Sequence, residues 1–256
     1  MRRVRELVRK SIKVLYLVRV SAWRRGLRHR VAAAVEHDPV TFGADFRSVL
    51  DVGAHRGQFA LFAGWRFPGT KLYCFEPLPD ARGKLESVLA DQPESSTFPL
   101  ALGSRSGRVT MHVSRRDDSS SILRPTERQT AAFPGTDEAA QEEVELARLD
   151  DVLAGGGPLP RPCLLKIDVQ GAELEVLAGA RRTLENVDEL LVECSFVELY
   201  RGQALAAQVI ADICTRGFDL SGVYGVVRDV RRRCLQADLL FSRSAEARGT
   251  VAELPG

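Results

Sequence analysis

The chain has 256 residues, 45% of them hydrophobic and 27% charged, and a formal net charge of +2. That composition supports one sizeable core, so one domain with additions is expected rather than two domains. No apolar run is long enough to span a bilayer, the amino terminus lacks an apolar core with a small-residue cleavage site, and the expected location is the cytoplasm.

The small net charge hides an asymmetry. The first thirty residues carry eleven Lys and Arg against one acid, Glu6, so that segment holds about +10 and the remainder about −8. Within it Val4, Leu7, Val8, Ile12, Leu15 and Tyr16 recur at helical spacing among Arg2, Arg3, Arg5, Arg9, Lys10 and Lys13, which predicts a basic amphipathic helix. Residues 1–40 are therefore expected as a helical extension. Such a helix can pack its apolar stripe on the domain, lie on an anionic membrane surface as a peripheral contact at the inner face, or meet a nucleic acid. With only Tyr16 and Trp23 to stack on bases, nucleic acid has the least support. A further helix is expected from Val31 to about Asp38, where Pro39 ends it.

The main domain is expected over residues 41–243, and RSVLDVGAHRGQFALFAGW organises it. Val49, Leu50 and Val52 form a strand, Gly53 and Gly57 a tight turn, and an apolar helical pattern opens at Phe59. Glycines let the backbone turn sharply and approach a ligand, while the free N–H groups opening the helix offer donors. One βα unit later KLYCFEP reads as a strand ending in Glu76, where a carboxylate can accept hydrogen bonds from ribose hydroxyls. A dinucleotide site wants G-x-G-x-x-G. This turn instead spaces Gly53 and Gly57 by three residues and sets Asp51 just before them. An anion there would repel a pyrophosphate but suits the cationic amino group and sulfonium of S-adenosylmethionine (AdoMet). The turn therefore reads as an AdoMet site rather than a nicotinamide site.

After Pro77 and Pro79 a helix is expected to about Ala90, burying Leu78, Leu85, Val88 and Leu89. Thr97 to Leu102 reads as a third strand, which places Ala101 and Leu102 near the adenine, and RVTMHVS as a strand beyond the basic sheet. Residues 114–143 lack apolar periodicity and are expected as an insertion loop, with Ser119 to Ser121 able to line the site or remain in solvent. CLLKIDVQGAELEVLAGA then gives a strand carrying Lys166 and Asp168, followed by a helix from Gly171. Asp168 stands at the carboxyl end of its strand, where an open α/β sheet does its chemistry. Glu193, in ELLVECSF, holds the corresponding place on the next strand. The two carboxylates are the candidate catalytic residues, as general bases or as ligands of a divalent cation; His112 ranks third as a base.

These segments, VLDVGAHRGQFA, CFEP, PLALGSRSG, LKIDVQGAELEVLAGA and LLVECS, resemble the FkbM-type AdoMet-dependent methyltransferases over residues 45–243. The resemblance implies a class I methyltransferase, with a Rossmann-like α/β sheet covered by helices on both faces. It also implies methyl transfer to a hydroxyl of a sugar, a glycan or a polyketide-type natural product. Asp51, Gly53, Gly57 and Glu76 match the family's cofactor motif, and Asp168, Gly171 and Glu173 its signature. His55 stands where the family commonly has Asn and retains a hydrogen bond to offer the methionyl carboxylate, while Gln170 stands where the family often has Glu, which weakens the metal reading. The alternative function is a methyltransferase-like binding or scaffold domain that docks through its basic amino-terminal helix.

Toward the carboxyl end, a helix from Gln203 to Thr215 and strands from Phe218 to Val227 and Ala237 to Phe241 complete the sheet, with Arg228, Arg231, Arg232 and Arg233 in the last connection. Residues 244–256 read as a frayed tail. The five cysteines, Cys74, Cys163, Cys194, Cys214 and Cys234, form no C-x-x-C pair and are expected as small buried thiols of a reducing compartment.

Overall fold

The structure is a computed structural model that describes residues 20–244. The amphipathic pattern of residues 4–16 and the tail beyond Ser244 lie outside the described residues. The elements are α1 (Ser21–Arg28), β1 (Ser48–Val52), α2 (Gln58–Arg66), β2 (Lys71–Phe75), α3 (Pro79–Leu89), β3 (Ser95–Phe98), β4 (Ala101–Leu102) and β5 (Gly107–Ser114). They continue with α4 (Glu127–Ala132), β6 (Glu138–Ala147), α5 (Leu149–Val152), β7 (Cys163–Ile167), α6 (Glu173–Ala178) and α7 (Arg181–Leu184). The last four are β8 (Glu189–Ser195), α8 (Ala206–Thr215), β9 (Phe218–Arg228) and β10 (Cys234–Arg243).

Seven strands form one sheet in the order β3-β2-β1-β7-β8-β10-β9. The first five run parallel, and β10 and β9 run antiparallel to their neighbours. Chain order reverses direction between β1 and β7, so a crevice opens beyond their carboxyl ends, the usual ligand position in such sheets. Every residue of β1 and β7 is buried, as expected for central parallel strands covered on both faces. Val49, Leu72, Leu164 and Leu191 pack on one face against Phe59, Phe62, Leu85, Val88 and the incoming Trp23, Phe42 and Phe46. Leu50, Val52, Leu165 and Ile167 pack on the other against Val176, Leu177, Val209 and Ile213. Helices therefore cover both faces, and the α/β class is as expected.

Four local expectations need correction. The Val31–Asp38 stretch is a single 3₁₀ turn, Val35–His37; Val31, Ala33 and Ala34 are buried in an irregular segment tied to the start of α2 by an Ala34 N–H bond to the Gln58 carbonyl, 2.9 Å. The Thr97–Leu102 strand is broken at Pro99, which has no N–H for a ladder. Its first part stays in the large sheet as β3, and Ala101–Leu102 joins a second sheet ordered β4-β6-β5. The 114–143 segment is largely built: it contains α4, capped by the Thr126 side chain, and the first half of β6, paired to β5. Of the cysteines, Cys74, Cys163 and Cys194 are buried, but Cys214 is exposed and Cys234 half-buried.

Candidate active site

The crevice is a cavity of about 360 Å³ lined from β1, β2, β4, β7, β8 and β10, from the 3₁₀ turn at His37, and from the 114–137 segment. Gly53, His55, Glu76, Ala101, Leu102, Asp168 and Glu193 all line it, so seven of the nine candidate residues meet around one space.

The glycine turn is dictated by crowding. Gly53 has φ +76°, and a Cβ there would lie 1.9 Å from the Asp168 carbonyl oxygen. Gly57, with φ +89°, caps α2, and a Cβ on it would meet Val88 at 2.8 Å and Leu85 at 3.0 Å. Gly57 thus serves the packing of α2 on α3 and stands behind the lining. His55 takes a left-handed φ of +48°, which turns its N–H onto Glu76 Oε2 at 2.9 Å. The other Glu76 oxygen accepts the Leu78 N–H at 2.8 Å. Held by two backbone donors at the tip of β2, this carboxyl faces the cavity, and burial pushes its pKa up to about 7.

Asp51 does not face the cavity. It is fully buried within β1, and its Oδ1 lies 3.1 Å from Lys166 Nζ. The same ammonium donates to the Gly53 carbonyl at 3.0 Å, lies 3.6 Å from Asp168 Oδ2 and sits 5.7 Å from the centre of the Phe59 ring. The expected contact between Asp51 and a bound cation is therefore replaced by an internal one: Asp51 neutralises Lys166, and Lys166 holds the carbonyl of the glycine turn. Burial raises the Asp51 pKa and Lys166 opposes that rise; burial also works against the Lys166 ammonium, but Asp51 and Asp168 outweigh it and hold Lys166 above its ordinary value.

Asp168 and Glu193 come together, joined by a residue the sequence pattern treated as a loss. Gln170 has a left-handed φ of +56°, and its Nε2 donates to both Asp168 Oδ1 and Glu193 Oε2, each at 2.8 Å. Its own Oε1 accepts from the Tyr200 hydroxyl at 2.9 Å, which also lies 2.8 Å from the Ser119 carbonyl and accepts from Gln129 Nε2 at 3.2 Å. Gln236 Nε2 donates to Glu193 Oε1 at 2.6 Å. Burial, followed by the nearby Asp168, Asp238 and Glu173, pushes the Glu193 pKa well above the carboxylate range.

The divalent-cation reading of this pair gains no further ligand from that geometry. An amide donor, not a third ligand, stands between the two carboxyls, and among the described residues no group of three or more His, Cys, Asp and Glu is arranged to hold a metal. His112 is paired with Glu138 at 2.9 Å on β5, and it does not line the cavity. Ser119 and Ser120 do line it, and Ser121 Oγ donates to the Gln170 carbonyl at 2.8 Å. Sequence reasoning missed His37, Arg116, Gln129, Gln236 and the roles of Lys166 and Tyr200. Only Lys166 carried a signal, being a charge in an otherwise apolar strand, which requires a partner.

The residues fit a cationic nucleoside. The cavity has a buried carboxyl positioned for ribose hydroxyls, apolar Ala101 and Leu102 beyond it, and more acids (Glu36, Glu76, Asp118, Asp168, Glu193) than bases. A nucleotide-type α/β sheet with its chemistry at the β1/β7 switch point and an anionic crevice defines a class I, AdoMet-dependent methyltransferase. Residues 51–220 match the family model of the methyltransferase FkbM domain. The chain belongs to that family. The 2-O-methyltransferase NoeI of Sinorhizobium fredii is 33% identical over 198 residues, covering 72% of this chain and 78% of that protein. Methyltransferase sdnD of Sordaria araneosa is 32% identical, covering 68% and 74% respectively. The hexuronic acid methyltransferase AglP of Haloferax volcanii is 29% identical over 147 residues, covering 56% and 54%. Among the described residues no helix is long and apolar enough to cross a membrane.

Proposed function

We propose that this enzyme methylates a hydroxyl of a sugar or glycan, with Asp168 as the general base. The observation that carries the reading is the Asp168–Gln170–Glu193 arrangement at the carboxyl end of the sheet, together with relatives whose names specify 2-O-methylation and a hexuronic acid. Carboxyls and amides that converge from several elements (Asp118, Gln129, Asp168, Gln170, Glu193, Gln236) match the hydroxyl-rich surface of a sugar better than an apolar polyketide.

When bound, AdoMet supplies an electrophilic methyl group on a sulfonium. Glu76 holds its ribose hydroxyls, His55 and the Gly53 turn its methionyl end, and Ala101 and Leu102 its adenine, while Asp51 and Gly57 shape the turn from behind. An alcohol is a weak nucleophile near neutral pH, so a neighbouring group must take its proton. Asp168 does so: the Lys166 ammonium stands 3.6 Å from it and Gln170 fixes its orientation. Glu193, buried and pushed toward its neutral form, orients the acceptor rather than deprotonating it. Residues 1–30 add a peripheral contact to an anionic membrane surface, and the enzyme works in the cytoplasm.

The test is incubation with methyl-labelled AdoMet and a panel of hexoses, hexuronic acids and non-sugar alcohols, with and without a chelator. Label is expected in a sugar, in the chelator's presence too, and is lost in Asp168→Ala while calorimetry still shows AdoMet binding. Label confined to non-sugar alcohols, or full turnover by Asp168→Ala, overturns the proposal.

A further inference from the structure

The β9–β10 hairpin lies at the same rim as the cavity. β10 pairs with β8 through Gln236↔Ser195 and Asp238↔Glu193, and β9 pairs with β10 through Arg228↔Cys234. Residues 229–233 therefore project beyond the carboxyl ends of the parallel strands, about 10 Å along the chain from Gln236, which lines the cavity.

The tip is rigidly built. The Asp229 N–H donates to the Arg233 carbonyl and the Arg232 N–H to the Asp229 carbonyl, both at 2.9 Å. Asp229 Oδ1 accepts the N–H groups of Arg231 and Arg233 at 2.8 and 2.9 Å. Arg232 completes the turn in a left-handed conformation, φ +66°. This scaffold holds Val230 at the apex with 87% of its surface exposed, where turns ordinarily carry Gly, Asn, Asp, Ser or Pro. Of the four flanking arginines, Arg233 pairs with Asp229 at 2.7 Å, and Arg228 is turned onto the Arg232 carbonyl and Cys234 Sγ. The exposed side chains of Arg231 and Arg232 have no partner among the described residues. The tip carries a net charge of about +3, four Arg against Asp229. Apolar surface adjoins it: Val226, two residues before Arg228 on β9, is 38% exposed, and Phe196, whose N–H donates to the Leu235 carbonyl, is 37% exposed on the same rim.

A soluble anion would use the arginines and leave Val230 idle, and an apolar partner would leave the arginines idle. An anionic bilayer surface uses both, since guanidinium heads meet phosphates while their stems and an apolar apex enter the headgroup layer. We propose that the β9–β10 hairpin tip is a docking surface for anionic phospholipid, which sets the mouth of the active site against the membrane. Each arginine at such a surface contributes roughly fivefold in partitioning. Stable attachment takes two weak signals, and the tip supplies one independently of the basic segment 1–30.

The test uses the full chain with vesicles of phosphatidylcholine alone or with 30% phosphatidylglycerol. Wild type is expected to co-sediment with the anionic vesicles only. R231E/R232E is expected to lower that partitioning at least tenfold, with melting temperature and AdoMet affinity unchanged. In a Val230→Trp variant, brominated phospholipid is expected to quench emission beyond that of wild type. Vesicle binding that is indifferent to R231E/R232E, or a Val230→Trp signal that bromolipid does not quench, overturns the proposal. So does calorimetric binding of inorganic pyrophosphate that depends on Arg231 and Arg232 while vesicles are not bound.

Discussion

Replacing Lys166 by Met removes the nearest counter-charge of a fully buried Asp51 while keeping the length and bulk of the side chain. At 3.1 Å and an effective dielectric constant of about 20, the attraction lost is about 5 kcal/mol, and breaking one side of a buried pair typically costs about 3–5 kcal/mol net. For a chain of this size that lowers the melting temperature by about 10 °C. The penalty has a pH signature. With Lys166 gone, burial and the Asp168 charge raise the Asp51 pKa and only His37 opposes them. The folded variant then binds a proton that the unfolded chain releases at lower pH, so its stability falls as pH rises above the ordinary Asp value. Urea unfolding at pH 5 and pH 8 should show the larger deficit at pH 8. The double variant Asp51→Asn/Lys166→Met should recover more than half of the loss, because no uncompensated charge remains. A single-variant cost under about 1 kcal/mol, or a double variant no better than the single, would refute the reasoning that the pair is ionised and desolvated.

Glu76 gives a second pH dependence. Its pKa of about 7 means that ribose hydroxyls donating to the ionised carboxylate must first displace a proton below neutrality. AdoMet affinity by calorimetry should fall as pH drops below 7, approaching tenfold per unit, and Glu76→Ala should bind weakly at every pH. Glu173, buried and accepting the Gly171 N–H at 2.8 Å, is also pushed up to about 7. Its folded pKa lies above the unfolded value, so stability is present at pH 4.5 and lost toward pH 7, and Glu173→Gln should flatten that slope and gain about 2 kcal/mol at pH 8 in urea unfolding. Gln170→Leu should reduce kcat at least tenfold while AdoMet affinity stays within twofold, since the amide touches the carboxyls and not the cofactor end. Gly53→Ala should fail to yield stable protein by thermal melting, because the added methyl meets a backbone carbonyl that cannot move.

The central sheet was legible because its strands announce themselves by buried apolar runs and its turn by glycines. VLDV, CLLKI and LLVEC fall where the strands are, and Glu76, Asp168 and Glu193 fall at their carboxyl ends. The second sheet was not legible, because β6 is mostly exposed along Glu138–Glu143. Over that stretch the strand pairs with β5 alone and has little to bury, so it shows no periodicity and its acids and glutamine read as loop. The Val31–Asp38 stretch failed for the opposite reason: alanines and valines favour a helix in isolation, but here the segment is held across α2 by long-range contacts that propensity does not see.

The two amides and the one ammonium explain how so many acids share the crevice. Asp51, Asp168, Glu193 and Asp238 lie on four neighbouring strands or their ends, and mutual repulsion would empty such a site of charge. Lys166 answers two of them with a full positive charge, touching the buried Asp51 and approaching the more exposed Asp168. Gln170 and Gln236 answer Glu193 with N–H dipoles only, and His37 lies 3.7 Å from Asp238. The grading separates the carboxyls by environment. Asp168, 3.6 Å from the ammonium and about one-third exposed at its side chain, is reachable, while the pKa of Glu193, which is served by neutral donors, is pushed well above the carboxylate range by burial and three other acids. Two carboxyls 2.8 Å from one amide nitrogen thereby sit in unlike surroundings, the asymmetry that the proposed division between a base and an acceptor-orienting group calls for.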